Sequence, residues 1–159
     1  MITVQNQSLS HIVNRKYNEP MMNREVLGSI ETVKIPEFGI EVVAKVDTGA
    51  WSGSLHCTNI REENDTLFFF PLGDDSVAQS TTEYEKRTVR STSGHIEHRY
   101  LVPVTIEVKG VAHKATLGIT DRSEMTHSML IGRKFLIENN ILVDVTLTVD
   151  EDHEAERYL

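Results

Sequence analysis

Two alternating runs joined by a tight turn constrain this chain more than any other feature. Tyr100, Val102, Val104, Ile106 and Val108 recur at every second position, so in an extended segment they share one face. Lys109-Gly110 then turns the chain into Val111–Thr120, a spacing that reads as a β-hairpin. Earlier, Ile40, Val42, Ala44 and Val46 alternate with Glu41, Val43 and Lys45. Leu67-Phe68-Phe69-Phe70, bounded by Asp65 and Pro71, fits a short buried strand, and Ser93-Gly94 marks a second hairpin between Thr88–Thr92 and His95–Val102. One segment reads as helical, Arg133 to Asn139, following Gly132 and ending at Asn139-Asn140. Ile141-Leu142-Val143 then leads through Asp144 into a last strand ending at Val149. Many short strands with one late helix, and no internal repeat, predict a mainly β fold, a small and partly closed β-barrel.

The ends differ from this middle. Residues 1–22 are polar, with Gln5, Asn6, Gln7, Asn14 and Asn18, and are expected to be an extension outside the fold. Asp150 to Leu159 holds five acids against Arg157, a charge block expected to be a solvated tail. The barrel domain is therefore assigned to residues 23–149. The formal net charge of -8 argues against duplex nucleic acid as a partner, because phosphate binding needs a concentrated basic face. Cys57 is the one cysteine, so no disulfide can form within the chain. No apolar run approaches the roughly 20 residues that span a bilayer, and the start has no apolar signal region. The expected location is the cytoplasm, away from any membrane.

The string Val46-Asp47-Thr48-Gly49-Ala50 carries the chemistry. A strand runs into an acid, a hydroxyl and a glycine. By itself this is also the composition of an ordinary turn, with the Asp capping its own backbone. Late in the chain stands Met129-Leu130-Ile131-Gly132-Arg133, followed by Lys134-Phe135-Leu136. Together and in this order the two strings resemble the retropepsin-like aspartic peptidases. Further blocks extend the match: Ala44-Lys45 ahead of the first string, Ser54-Leu55-His56-Cys57, Thr120-Asp121-Arg122-Ser123-Glu124-Met125, and Leu142-Val143-Asp144-Val145. With these the chain, over roughly residues 24–149, resembles the RimK-associated branch named as ATP-dependent zinc proteases.

The resemblance implies a retropepsin-type barrel in which the Leu130-Ile131-Gly132-Arg133 strand holds the Asp47-Thr48-Gly49 loop from behind. Hydrolysis by carboxylates needs one to activate water and one to protonate the carbonyl, and two adjacent acids sharing a proton supply both forms at one pH. The chain has a single Asp-Thr-Gly, so a symmetric dyad requires a second copy across a two-fold axis. The expectation is a homodimeric hydrolase, an aspartic peptidase in which Asp47 does the chemistry. Thr48 would brace the opposite loop, and Gly49 would allow close backbone approach. Ala50 and Trp51 are expected at the substrate, Trp51 alternatively serving core or interface packing. The Ser93-Gly94 hairpin is the candidate flap, its Arg90 and Arg99 able to hold carboxylates of a peptide substrate; a plain surface hairpin is the alternative. Because the resembled family travels with ATP-grasp ligases that append amino acids such as glutamate, an acidic peptide from that pathway is the implied substrate.

The pattern departs from retroviral members, which carry a further Asp after Gly-Ala that pairs with the arginine of the late string. Here Ala50-Trp51-Ser52-Gly53 offers no such acid, and Asp121 or Asp144 become the candidate partners of Arg133. Without a paired acid the same barrel would be a non-catalytic peptide-binding or assembly module. No cofactor is expected. Zinc is the weaker alternative: His-Glu-x-x-His is absent, and both His95-x-x-His98 and His56-Cys57 point their side chains apart on a strand. Cys57 has no basic cluster to activate it as a nucleophile, and there is no phosphate-binding glycine loop.

Overall fold

The computed structural model describes residues 24–90 and 93–147. The expected extension over 1–22, the acidic tail and positions 148–149 of the expected last strand lie outside the described residues, and Val145 and Thr146 of that expected strand form a turn instead. Among the described residues eleven strands run in chain order: β1 (Val26–Leu27), β2 (Ile30–Ile35), β3 (Ile40–Val46), β4 (Gly53–Glu63), β5 (Thr66–Pro71), β6 (Gln79–Thr81), β7 (Glu85–Arg90), β8 (Ile96–Val108), β9 (Val111–Thr120), β10 (Met129–Ile131) and β11 (Leu142–Val143). The helix α1 covers Arg133–Glu138, ending one residue before the expected Asn139, which sits at its C-cap.

The fold is mainly β, of the retropepsin type, and its barrel closes fully. Six strands form the ring in the order β10-β3-β2-β8-β9-β4, with β10 pairing back onto β4. The expectation of partial closure stopped short because β10 is three residues long and its two partners are far away in sequence. Inside the ring the alternation read from the sequence decides burial. Val102, Val104, Ile106 and Val108 face in from β8, and Val42, Ala44 and Val46 from β3. Val33 and Ile35 of β2 join them with Leu55, Cys57, Leu117, Ile119, Met129 and Ile131, while Phe135 and Leu136 of α1 cover one side. Each large side chain buried in this way stabilises the fold by roughly 1.5–3 kcal/mol.

The turn at Lys109-Gly110 has positive φ at both central residues, 49° and 77°. That geometry matches the twist of the flanking strands and fixes the register from Val108↔Val111 to Tyr100↔Ile119. The Ser93-Gly94 hairpin also forms, with Arg90 paired to Ile96 and Glu85 to Leu101. The aromatic run differs from expectation. Leu67 and Phe69 of that run are fully buried, whereas Phe68 lies outside under the Arg61 guanidinium, 4.7 Å from its centroid. β5 lies outside the closed ring, between β4 and β6, so only one of its faces meets the core. Among the described residues no helix is long and apolar enough to cross a membrane.

Candidate active site

The late string holds the Asp47 loop. β10 lies between β3 and β4, parallel to the first and antiparallel to the second. The chain thus leaves β3 at Val46, loops through 47–52, and returns on the far side of a strand that arrives much later. Asp47 N–H donates to the Ile131 carbonyl at 2.8 Å. Leu130 aligns with Lys45 on one side and Ser54 on the other. The first amides of α1 complete the brace: Arg133 N–H donates to the Ala50 carbonyl at 2.8 Å and Lys134 N–H to the Trp51 carbonyl at 3.0 Å. Helix N-termini leave such donors without partners inside the helix, and here the loop supplies the acceptors. Gly132 is required by contact, because a Cβ there would lie 2.6 Å from the Ser52 carbonyl carbon and 2.8 Å from the Trp51 oxygen.

Within the loop, Gly49 N–H donates to Asp47 Oδ1 at 3.0 Å, and a Cβ at position 49 would stand 3.2 Å from the same oxygen. Lys45 Nζ is 3.9 Å from Asp47 Oδ2. The Asp47 side chain keeps 29% of its surface exposed, so its carboxylate is oriented and still reachable. Thr48 is exposed, and Trp51 more so at 53%. Arg133 finds neither of its expected acidic partners. Its Nη1 donates to the Thr48 carbonyl at 3.3 Å, and its guanidinium lies 5.9 Å from the Trp51 ring centroid. Asp121 and Asp144 instead accept from the hydroxyls and the amides of Ser123 and Thr146, the amide bonds each at 2.9 Å. The hydroxyl first and the amide second hold both carboxyls below the usual carboxylate range.

A cleft of about 510 Å³ opens beside this loop. Ser52, Gly53 and Ser54 border it on one side and Arg87, Glu97, Arg99, Tyr100 and Leu101 of the hairpin on the other, with Asp121, Arg122 and Met125 at one end. Of the two hairpin arginines expected at the substrate, Arg99 lines the cleft and Arg90 does not. Arg99 is exposed and lies 3.7 Å from Glu97 of its own strand. The sequence reading did not single out Arg122, although it lay within one of the quoted blocks. Its backbone N–H donates to His56 Nδ1 at 2.8 Å, its Nη1 to Ser54 Oγ at 3.0 Å and its Nε to the His127 carbonyl at 3.1 Å. Partial burial pulls this guanidinium below its ordinary value, and the charge of Asp47 opposes that. The available signal was positional: Arg122 follows directly on the end of β9, which runs parallel to β4 and pairs Thr120 with His56.

The residues do not fit zinc. His56 Nδ1 already accepts the Arg122 amide. Burial pushes the Cys57 thiol up to about 12, against the thiolate that a metal needs. Among the described residues no group of three His, Cys, Asp or Glu could hold a metal ion.

Comparison with known proteins agrees with this geometry. The profile of the family described as RimB-like, retropepsin-like aspartic endopeptidase RimB, matches residues 26–154. A protein of Shewanella halifaxensis named "Probable alpha-L-glutamate ligase" is 31% identical over 132 residues, covering 77% of this chain and 29% of its own length. One of the same name from Parasynechococcus marenigrum is 32% identical over 134 residues, covering 78% of this chain and 28% of its own length. The chain therefore spans under a third of these curated relatives. A Legionella pneumophila crystal structure, described as a protein of unknown function, superposes with a TM-score of 0.62 at 28% identity, covering 78% of this chain and 95% of that one. The braced Asp-Thr-Gly loop, the closed barrel and the family match over most of its length place this chain in the RimB-like family of retropepsin-like aspartic endopeptidases.

Proposed function

We propose that this chain is one half of an aspartic peptidase, in which Asp47 meets its copy from a second chain across a two-fold axis. The bracing of the Asp47 loop carries the reading. The backbone on both flanks of Asp47 is tied to β10 and α1, one carboxylate oxygen is aimed by Gly49 N–H, and the side chain stays reachable. Such preorganisation is what acid–base chemistry needs and what a simple surface turn does not. Two such carboxylates share one proton. The ionised one takes a proton from water as the water attacks the amide carbonyl, and the protonated one gives its proton to the carbonyl oxygen. The proposed substrate is an acidic, glutamate-containing peptide, in keeping with the ligase names of the longer relatives and with a cleft bordered by three arginines.

One observation favours a second reading. Among the described residues the charged groups that act on Asp47 are Lys45 and Arg122, both cations. Without a second copy, Asp47 is a lone anion on a well-made barrel, suited to holding a peptide and not to cutting it. Mass spectrometry of glutamate-extended peptides incubated with the wild type and with Asp47→Asn separates the two. A peptidase loses cleavage entirely in the variant while sedimentation still reports a folded dimer. A binding module turns over nothing in either form and keeps its peptide affinity. Loss of cleavage on chelation alone would overturn both.

A further inference from the structure

Three arginines border the cleft, and they are not equivalent. Arg87 and Arg99 lie on the exposed hairpin and pair with Glu85 and Glu97 of their own strands. Their charges are spent locally and screened by solvent. Arg122 is half-buried and clamped. Nε is taken by the His127 carbonyl and Nη1 by Ser54 Oγ, both uncharged acceptors, while the backbone amide is locked on His56. A guanidinium has five N–H donors, and among the described residues no partner is recorded for Nη2. No carboxylate forms an ion pair with Arg122 among the described residues, although the charge of Asp47 reaches it across space. The result is a fixed, desolvated cation with donors to spare, on the wall of the cleft and within the electrostatic reach of the acid.

We propose that Arg122 is the specificity-determining residue of the site: its Nη edge takes a substrate carboxylate and so selects an acidic residue beside the bond presented to Asp47. A planar guanidinium presents parallel N–H groups that match the two oxygens of a carboxylate. Holding it in place beforehand removes the ordering cost that a free side chain such as Arg99 would incur. Ser54 acts through Arg122 as a positioning residue. The carboxylate can come from a side chain or from the end of the peptide, and the test distinguishes them. The inference rests on the peptidase reading for what happens after binding, not for the binding itself.

Binding is therefore measured without turnover, in Asp47→Asn of the full chain, by calorimetry against tetraglutamate, tetraglutamate amide and tetraglutamine. Cleavage of the same peptides is followed separately in a protein that keeps Asp47. Arg122→Met keeps much of the length and removes the charge. The expected result is a glutamate-over-glutamine affinity ratio at least about tenfold lower in Arg122→Met, partly restored in Arg122→Lys. Ser54→Ala, which frees the guanidinium without deleting it, should lower the ratio by a smaller factor and serves if Arg122→Met does not fold. If amidation of the peptide, and not glutamine substitution, removes the Arg122-dependent binding, the carboxylate is the chain terminus. An unchanged glutamate-over-glutamine ratio together with an unchanged loss on amidation, in both Arg122→Met and Ser54→Ala, overturns the inference, as does equal weakening of every peptide, the amide included. Wild-type protein that binds with this preference yet cleaves nothing would sink the peptidase reading and leave the Arg122 assignment standing.

Discussion

The Asp47 loop and the β7–β8 hairpin border the same cleft and are held by opposite means. The loop has little structure of its own. Its backbone is tied to Ile131, Arg133 and Lys134, residues from the far end of the chain. The hairpin satisfies itself, with its own ladder and the same-strand pairs Glu85–Arg87 and Glu97–Arg99. Its base is tied outward by Glu62 of β4, which accepts from Tyr84 at 2.6 Å, from Tyr100 at 3.4 Å and from Lys86. Elements with few buried contacts open at low cost, whereas core elements open only with the whole fold. The contrast teaches where this molecule keeps its rigidity: around Asp47, and not in the exposed hairpin that borders the same cleft.

The sharpest way to break the contrast is to empty the brace. Ile131→Ala removes a fully buried side chain from β10 and should cost about 2–5 kcal/mol in urea unfolding. Ile96→Ala on the hairpin, where the residue is 59% exposed, should change stability in the same assay by less than about 0.5 kcal/mol. Equal losses would mean that the hairpin is as integral as the loop. Gly132→Ala should come next, at about 1–3 kcal/mol, because its Cβ drives into the Ser52 and Trp51 carbonyls. Peptide cleavage should fall further in this variant than its melting curve accounts for.

The smallest effect is a titration at the hairpin base. Lys86, then Tyr84, hold Glu62 below its ordinary value of 4.5, so the carboxylate supports the hairpin fully above that pH and loses this role as the pH falls through its lower folded value. The Glu62 bond also raises the Tyr84 phenol from 10.0 to about 12, so the same contact persists at alkaline pH and fades as the pH rises through that value. Tyrosine absorbance should show one phenol titrating late, and hairpin amide shifts should move at acid pH. Both signatures should vanish in Glu62→Gln, and their persistence there would assign them to another group.

Much of the barrel was legible because its long strands obey local rules. The alternation in β3 and β8 named the buried residues, and Lys109-Gly110 named the turn that sets the register. What escaped was non-local. Ring closure depends on three residues, Met129 to Ile131, choosing two partners distant in sequence, which no periodicity reports. The β1–β11 pair, Val26↔Leu142 and Leu27↔Val143, is two residues long and has no pattern to read. The loop acid was recognisable from Asp47-Thr48-Gly49, whereas Arg122 became visible only once β9 and β4 lay side by side. Arg133 was expected to seek an acid on charge alone. Backbone geometry gave it a carbonyl and a ring.

The position of β10 orders events during synthesis. A nascent polypeptide that has emerged only as far as Ser128 carries the Asp47 segment without its brace. The loop takes shape only after the segment through Lys134 has threaded between its two partner strands. An incomplete translation product therefore lacks the braced loop, because topology withholds its last strand until the end of synthesis.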